Sequence, residues 1–217
     1  MNIIKKDALI LNIVGIIFLV WGLLAIIYSL ATEPSKVLWF SYFGLVIIGI
    51  GILKRNSFIM MTQFNILFLL VAIWSLDFFS FLLFKRFPIG VSIPFFTNAP
   101  LIAKIISMEH IVLIPLGSYA LYKIKMPKNH SRTLLISIIQ VVIVFILSTY
   151  LTDPAENVNC VFHTCLPFDF PFPQFISWSL ILIPNVLINY FLIINIPWFK
   201  SSNRGSDYEG EDRKGNE

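Results

Sequence analysis

Charge is what this sequence has least of. Only 13% of its 217 residues are Asp, Glu, Lys or Arg, about half the share of an ordinary soluble domain. With 57% hydrophobic residues and a mean hydropathy of +0.82, that shortage excludes a soluble globular enzyme. The net charge of +4 is not a nucleic-acid signal, because the basic residues fall in short clusters at the ends of apolar runs. No nucleic-acid partner is expected. Histidine and cysteine are scarce too, with three and two copies. No cofactor and no metal site is expected, since a structural zinc site needs a fourth ligand that these residues do not supply. No internal repeat is visible, and no motif marks a serine nucleophile.

What is present is a series of apolar runs long enough for a bilayer, in which a helix of about 20 residues crosses the hydrocarbon. The expectation is an all-α integral membrane bundle of six transmembrane helices over residues 8–31, 37–53, 58–84, 101–124, 133–150 and 175–198. Residues 1–199 then form one transmembrane domain. The tail, 200–217, has almost no apolar residues and is expected to be disordered. The first run resembles the start of a signal peptide, but its apolar core is longer than the 7–15 residues expected of one. An uncleaved helix is the reading adopted.

Sidedness follows from the basic residues. In a six-span arrangement one side holds twelve Lys and Arg, from Lys5 and Lys6, the 54–57 turn, the 123–132 segment and the tail. The other side holds four: Lys36, Lys85, Arg86 and Lys104. Both termini are therefore expected in the cytoplasm of a cell-membrane protein, with the 151–174 loop outside.

That loop holds both cysteines, His163 and three of the twelve acids. Outside the cell a Cys160–Cys165 disulfide can persist; two unpaired buried thiols, or a redox or metal-bound pair, are the alternatives. Phe162, Phe168, Phe170, Phe172 and Phe175 alternate with Pro167, Pro171 and Pro173. Phe87, Phe95 and Phe96 lie in the 87–100 loop on the same side. So many aromatics belong at the membrane interface or folded back on the helices, either as a lid over a cavity or as an ordinary aromatic belt. Asp153, Glu156, Asn157 and Asn159 are placed to tie the loop down by turn-type hydrogen bonds.

Ionisable groups inside the spans are the remaining signal, since such residues face the bundle interior and mark sites or pathways. Counting 1.5 Å per residue puts Asp77 about 10 Å below the outer end of span three and His110 about 13 Å below that of span four. The two could meet. Glu109 is adjacent to His110 but about 100° around the helix. Asn185 and Asn189 share one face of span six. One reading makes Asp77 the partner of His110, a general base, with Glu109 beside them. The other makes these residues a buried polar network that locks helices together.

Several short motifs carry a resemblance. Glu109-His110, Pro115-Leu116, Tyr119-Ala120-Leu121 and the Asn-Val-Asn-Cys-Val-Phe stretch at 157–162 resemble those of small archaeal multi-pass membrane proteins. In element order the chain is also similar to the YwaF-like family, whose eukaryotic relatives are transmembrane acyltransferases. That similarity implies a functional His at His110 and an Asn-rich stretch at Asn157 and Asn159. The family's early His-Leu-Cys motif falls near Trp39-Phe40-Ser41-Tyr42, where neither His nor Cys is present. Three function classes remain: a structural or complex-forming membrane component, a lipid-modifying enzyme acting on a lipid substrate through His110, and a small proton-coupled transporter. The lipid bilayer is the expected partner, and an unknown membrane protein a further one.

Overall fold

A computed structural model describes residues 3–165 and 171–200. Among these residues the chain is entirely helical: α1 (Ile3–Thr32), α2 (Phe40–Leu53), α3 (Ser57–Phe84), α4 (Ile93–Phe96), α5 (Leu101–Ser107), α6 (Glu109–Ile124), α7 (His130–Leu151) and α8 (Gln174–Asn195). Three short 3₁₀ turns, Pro34–Leu38, Val158–Cys160 and Pro197–Phe199, join or extend them. Residues 201–217 of the expected 200–217 tail, and Pro167, Phe168 and Phe170, lie outside the described residues.

Five helical stretches are long and apolar enough to cross a membrane: Lys6–Thr32, Ser57–Phe84, Leu101–Ile124, His130–Leu151 and Gln174–Asn195. Residues 37–53, expected as a full span, instead form a 3₁₀ turn and then a 14-residue helix. At 1.5 Å per residue that helix is about 21 Å long, short of a hydrocarbon layer of about 30 Å. Its start is set from outside: the Phe40 N–H donates to the Asn159 Oδ1 at 3.1 Å, so the first turn of α2 is capped by the 151–165 loop.

The fourth expected span also differs. It breaks at Met108 into α5 and α6, and the causes are visible in the hydrogen bonds. The Ile106 carbonyl, which a continuous helix would give to the His110 N–H, accepts from Trp21 Nε1 at 3.2 Å. Ile111 N–H turns instead to the Met108 carbonyl at 3.1 Å. The Ser107 carbonyl it would have used accepts from His110 Nδ1 at 3.0 Å, and Ser107 Oγ donates back to Ala103, a bond that bends helices. Pro115, inside α6, withholds a further N–H donor.

Packing centres on α3, which touches α2, α6, α7 and α8. α1 and α2 form a close hairpin: a Cβ on Gly49 would lie 2.7 Å from the Leu19 N and 2.9 Å from the Gly15 carbonyl oxygen. No side chain fits there, so the backbones approach directly. One end of the bundle is tied by Lys123 Nζ to Asp7 at 2.8 Å, Arg55 Nη2 to the Ala8 carbonyl at 2.9 Å, and Met126 N–H to the Phe199 carbonyl at 2.8 Å. The start of α1, the 54–57 turn, the 123–130 segment and the end of α8 therefore share one end. The 33–39 turn, the 85–100 loop and the 151–165 loop share the other.

Polar side chains join α3 to α7 and α8. Asn189 Nδ2 donates to the Asn65 carbonyl and its Oδ1 accepts from the Leu69 N–H, both at 3.0 Å. Those are the two groups an α-helix would pair with each other. Asn185 Nδ2 donates to the Ile66 carbonyl at 2.8 Å. Asn65 Nδ2 reaches Thr133 and Ser137 at 3.2 and 3.3 Å, and the Gln63 and Gln140 amides pair reciprocally. Interhelical hydrogen bonds of this kind contribute on average about 0.6 kcal/mol in a membrane, and at most about 1.7 kcal/mol. Asn185 and Asn189, expected on one face, thus act on one stretch of α3.

Candidate functional site

Three groups of residues drew notice in the sequence, and the structure gives each a distinct setting. The first is the 151–165 loop. Cys160 and Cys165 are joined by a disulfide, with Cα atoms 5.6 Å apart. Asn157 organises the ring: its Oδ1 accepts from Phe162 and His163 N–H at 3.0 and 3.1 Å, and its Nδ2 donates to the His163 carbonyl at 2.8 Å. Asn157, Asn159 and Cys160 all adopt positive φ, at 44°, 54° and 61°. Asn is among the residues that best tolerate that region, which is one reason the loop is rich in it. Asp153 Oδ1 accepts from the Ala155 N–H two residues on, closing an Asx turn.

Asn159 then fixes the loop to the bundle. Besides capping Phe40, it donates from Nδ2 to the Leu38 carbonyl at 2.7 Å and to Ser148 Oγ at 3.1 Å, while its own carbonyl accepts from Trp178 Nε1 at 3.0 Å. One buried asparagine therefore binds the 3₁₀ turn, α2, α7 and α8. Val158 is fully buried and Phe162 packs on the core, whereas Phe172 and Phe175 are exposed. This arrangement is a clasp seated over the short helix α2.

The second setting is Asp77, which is 1% exposed. Its Oδ1 accepts from the Ile89 and Gly90 N–H groups at 2.9 and 3.0 Å. Its Oδ2 accepts from the Ser92 N–H and Oγ at 2.9 and 2.8 Å. Four donors converge on one carboxylate, the arrangement that satisfies a buried charge. They turn the 87–96 chain back onto α3, where aromatic side chains pack along the helix: Phe87 stacks on Phe81 at 4.2 Å, Phe96 lies tilted against Phe81 at 4.3 Å, and Phe95 meets Phe78 edge to face at 5.0 Å.

The third setting is the break between α5 and α6. His110 stacks on Trp74 at 4.6 Å between ring centres. Its Nδ1 faces a carbonyl, which can only accept, so Nδ1 carries the proton and Nε2 is the basic nitrogen. The His110 carbonyl accepts from Ser75 Oγ at 3.0 Å. Glu109, one residue back, has a fully buried side chain, and its Oε1 lies 3.7 Å from His110 Nδ1. Neither carboxyl oxygen has a hydrogen-bond partner among the described residues. The Ser41 hydroxyl lies beside it without hydrogen-bond geometry, and Tyr42 is within its electrostatic reach.

The structure therefore brings Glu109 and His110 together and gives Asp77 and His110 separate partners. Trp74, Ser41 and Ser92 were not singled out from sequence. Trp74 alone left a signal, an aromatic one helical turn before Asp77. Among the described residues, no three His, Cys, Asp or Glu side chains gather as a metal site. A groove of about 540 Å³ lined by Ser80, Phe84, Arg86, Phe87 and Pro88 opens at the loop end of α3, and none of the singled-out ionisable residues lines it. Compared with known proteins, the chain matches no family model, no curated protein and no solved structure.

Proposed function

We propose that this chain is a six-span membrane protein, with both termini cytoplasmic and residues 151–174 outside, that serves as a structural or complex-forming membrane component. Five apolar helices of sufficient length support a membrane location, and α2 makes the sixth crossing with its missing length supplied by the 3₁₀ turn and the clasp. The orientation rests on the twelve-to-four distribution of Lys and Arg. The segments assigned to each side of the membrane also lie at one end of the bundle, which is consistent with it.

The observation that carries the non-catalytic reading is the occupation of Asp77. A general base needs a second group to orient it. Both oxygens of Asp77, the carboxylate expected to orient His110, are filled by the 89–92 turn, and the nearer carboxylate, Glu109, lies 3.7 Å from the ring nitrogen, beyond hydrogen-bond distance. The other membrane-embedded polar groups mostly hydrogen-bond between helices, as in a scaffold. The bilayer is then the protein's main partner, and a second membrane protein is its complement.

The test is an untargeted lipid profile of membranes from cells carrying the native chain, His110→Ala or an empty vector. With the protein shown to be folded, the three profiles are expected to match. A lipid change present with the native chain and lost in His110→Ala overturns this reading in favour of a lipid-modifying enzyme.

A further inference from the structure

Most buried polar side-chain atoms in this molecule are satisfied. The described exceptions are both oxygens of Glu109 and one oxygen each of Asn65 and Glu156. Glu156 is only half-buried in the outer loop, and Asn65 keeps two bonds through its amide nitrogen. Glu109 alone has both carboxyl oxygens unpartnered, with only the Ser41 hydroxyl beside it. A buried carboxyl without a donor is expensive in any protein and more so at membrane depth, and such groups mark pathways or sites. Its surroundings narrow the class of ligand. The side chain is fully enclosed, so a lipid headgroup, a partner's lysine or a hydrated ion cannot reach it without opening the bundle.

We propose that Glu109 is an intramembrane proton-binding site, loaded through His110. The geometry supplies each part. His110 is one-fifth exposed while Glu109 is sealed, and the two are 3.7 Å apart. The neutral ring carries its hydrogen on Nδ1 and offers Nε2 as the basic nitrogen. A proton taken up at Nε2 gives an imidazolium. The Nδ1 proton then leaves the Ser107 carbonyl for Glu109 Oε1, giving a neutral carboxylic acid and a neutral ring protonated at Nε2. Charge and protons balance, and the reverse sequence unloads the site. The break at Met108 gives the ring room to exchange partners, since neither Ser107 nor Ile106 holds the carbonyl bonds of a continuous helix.

Other titratable groups near the site do not replace this role. α2 contributes Tyr42, which in turn is within reach of Tyr28 on α1 and Glu33 in the outer turn. α3 contributes Asp77, whose oxygens are both occupied. Among the described residues, no Lys or Arg forms an ion pair with Glu109, and His110 is its sole ion-pair neighbour.

The experiment is infrared spectroscopy of the reconstituted protein, labelled with carbon-13 glutamate so that aspartates are silent. In potassium buffers of falling pH, a carboxylic-acid C=O band that resists immediate deuterium exchange is expected to grow. It is expected to vanish in Glu109→Gln and to persist in Asp77→Asn. In His110→Phe the band remains and its deuterium exchange slows by an order of magnitude. If the glutamine variant fails to fold, the labelled native protein and the phenylalanine variant still decide the matter. A Glu109 signal that does not change across the titration, or exchange as fast in His110→Phe as in the native chain, overturns the proposal. Loss of the acid band on replacing potassium by sodium assigns the site to a metal cation and overturns it too.

Discussion

Among the described residues two acids are buried, Asp77 and Glu109, and they are treated in opposite ways. Asp77, near the loop end of α3, receives four hydrogen bonds from Ile89, Gly90 and Ser92. Glu109, at the break between α5 and α6, receives none among the described residues. Both are about 1% exposed, so burial alone does not separate them. The difference lies in the local backbone. The 89–92 turn presents three N–H groups to one point, whereas no turn presents N–H groups to the Glu109 carboxyl, which has only the Ser41 hydroxyl beside it. An acid whose donors are supplied by the fold holds the fold together. An acid left without donors is maintained against its cost, and that points to a role outside stability.

This contrast can be broken at its strong side first. Asp77→Ala leaves the part-buried N–H groups of Ile89 and Gly90 and the buried N–H and hydroxyl of Ser92 without an acceptor. Since a bond to a charged group contributes about 1.5–3 kcal/mol, the loss is expected to be about 3 kcal/mol or more. Reversible unfolding in detergent, followed by helix content, measures it, and a loss below about 1 kcal/mol would mean the turn is held by its aromatic stacking instead.

The clasp gives the next effect. Asn159→Ala removes the cap of Phe40 and the ties to Leu38 and Ser148. A cost of about 2 kcal/mol is expected. Because α2 begins at that cap, hydrogen exchange at the amides of 38–42 should rise more than at α3. Uniform protection across both helices would show that the clasp does not set the start of α2. A smaller effect, about 1 kcal/mol, is expected for Asn189→Leu, which removes the inserted amide but allows Leu69 N–H to return to the Asn65 carbonyl. The same unfolding assay checks it, and a loss as large as that of Asp77→Ala would place the main lock at α8.

Much of the architecture was legible in the sequence. The apolar runs marked an all-helical chain, and five of its helical stretches are long and apolar enough to cross a membrane, because the need to satisfy backbone groups in hydrocarbon leaves few options. Asn157 and Asn159 were legible as loop ties from their side-chain chemistry. The shortened α2 was not, because the Phe40 N–H is taken by a residue 119 positions away. Nor was the break at Met108, which depends on Trp21, 85 positions from the carbonyl it binds. Counting residues from the span ends suggested that Asp77 and His110 meet. What depth could not reveal is that the loop following α3 folds back to fill the Asp77 oxygens. Glu109 and His110 were both noted, yet only the fold shows that the one is sealed and the other partly open.

The measurement closest to the centre of this account sets the two acids side by side. Asp77→Asn and Glu109→Gln each replace a carboxylate by an amide of the same shape, and both are unfolded thermally in the same detergent with the native chain. Asp77→Asn is expected to lose about 2 kcal/mol or more, because its new NH₂ confronts the donors of the 89–92 turn. Glu109→Gln is expected to stay within about 1 kcal/mol of the native protein. Equal losses in the two variants would contradict the account, since Glu109 would then be as structural as Asp77.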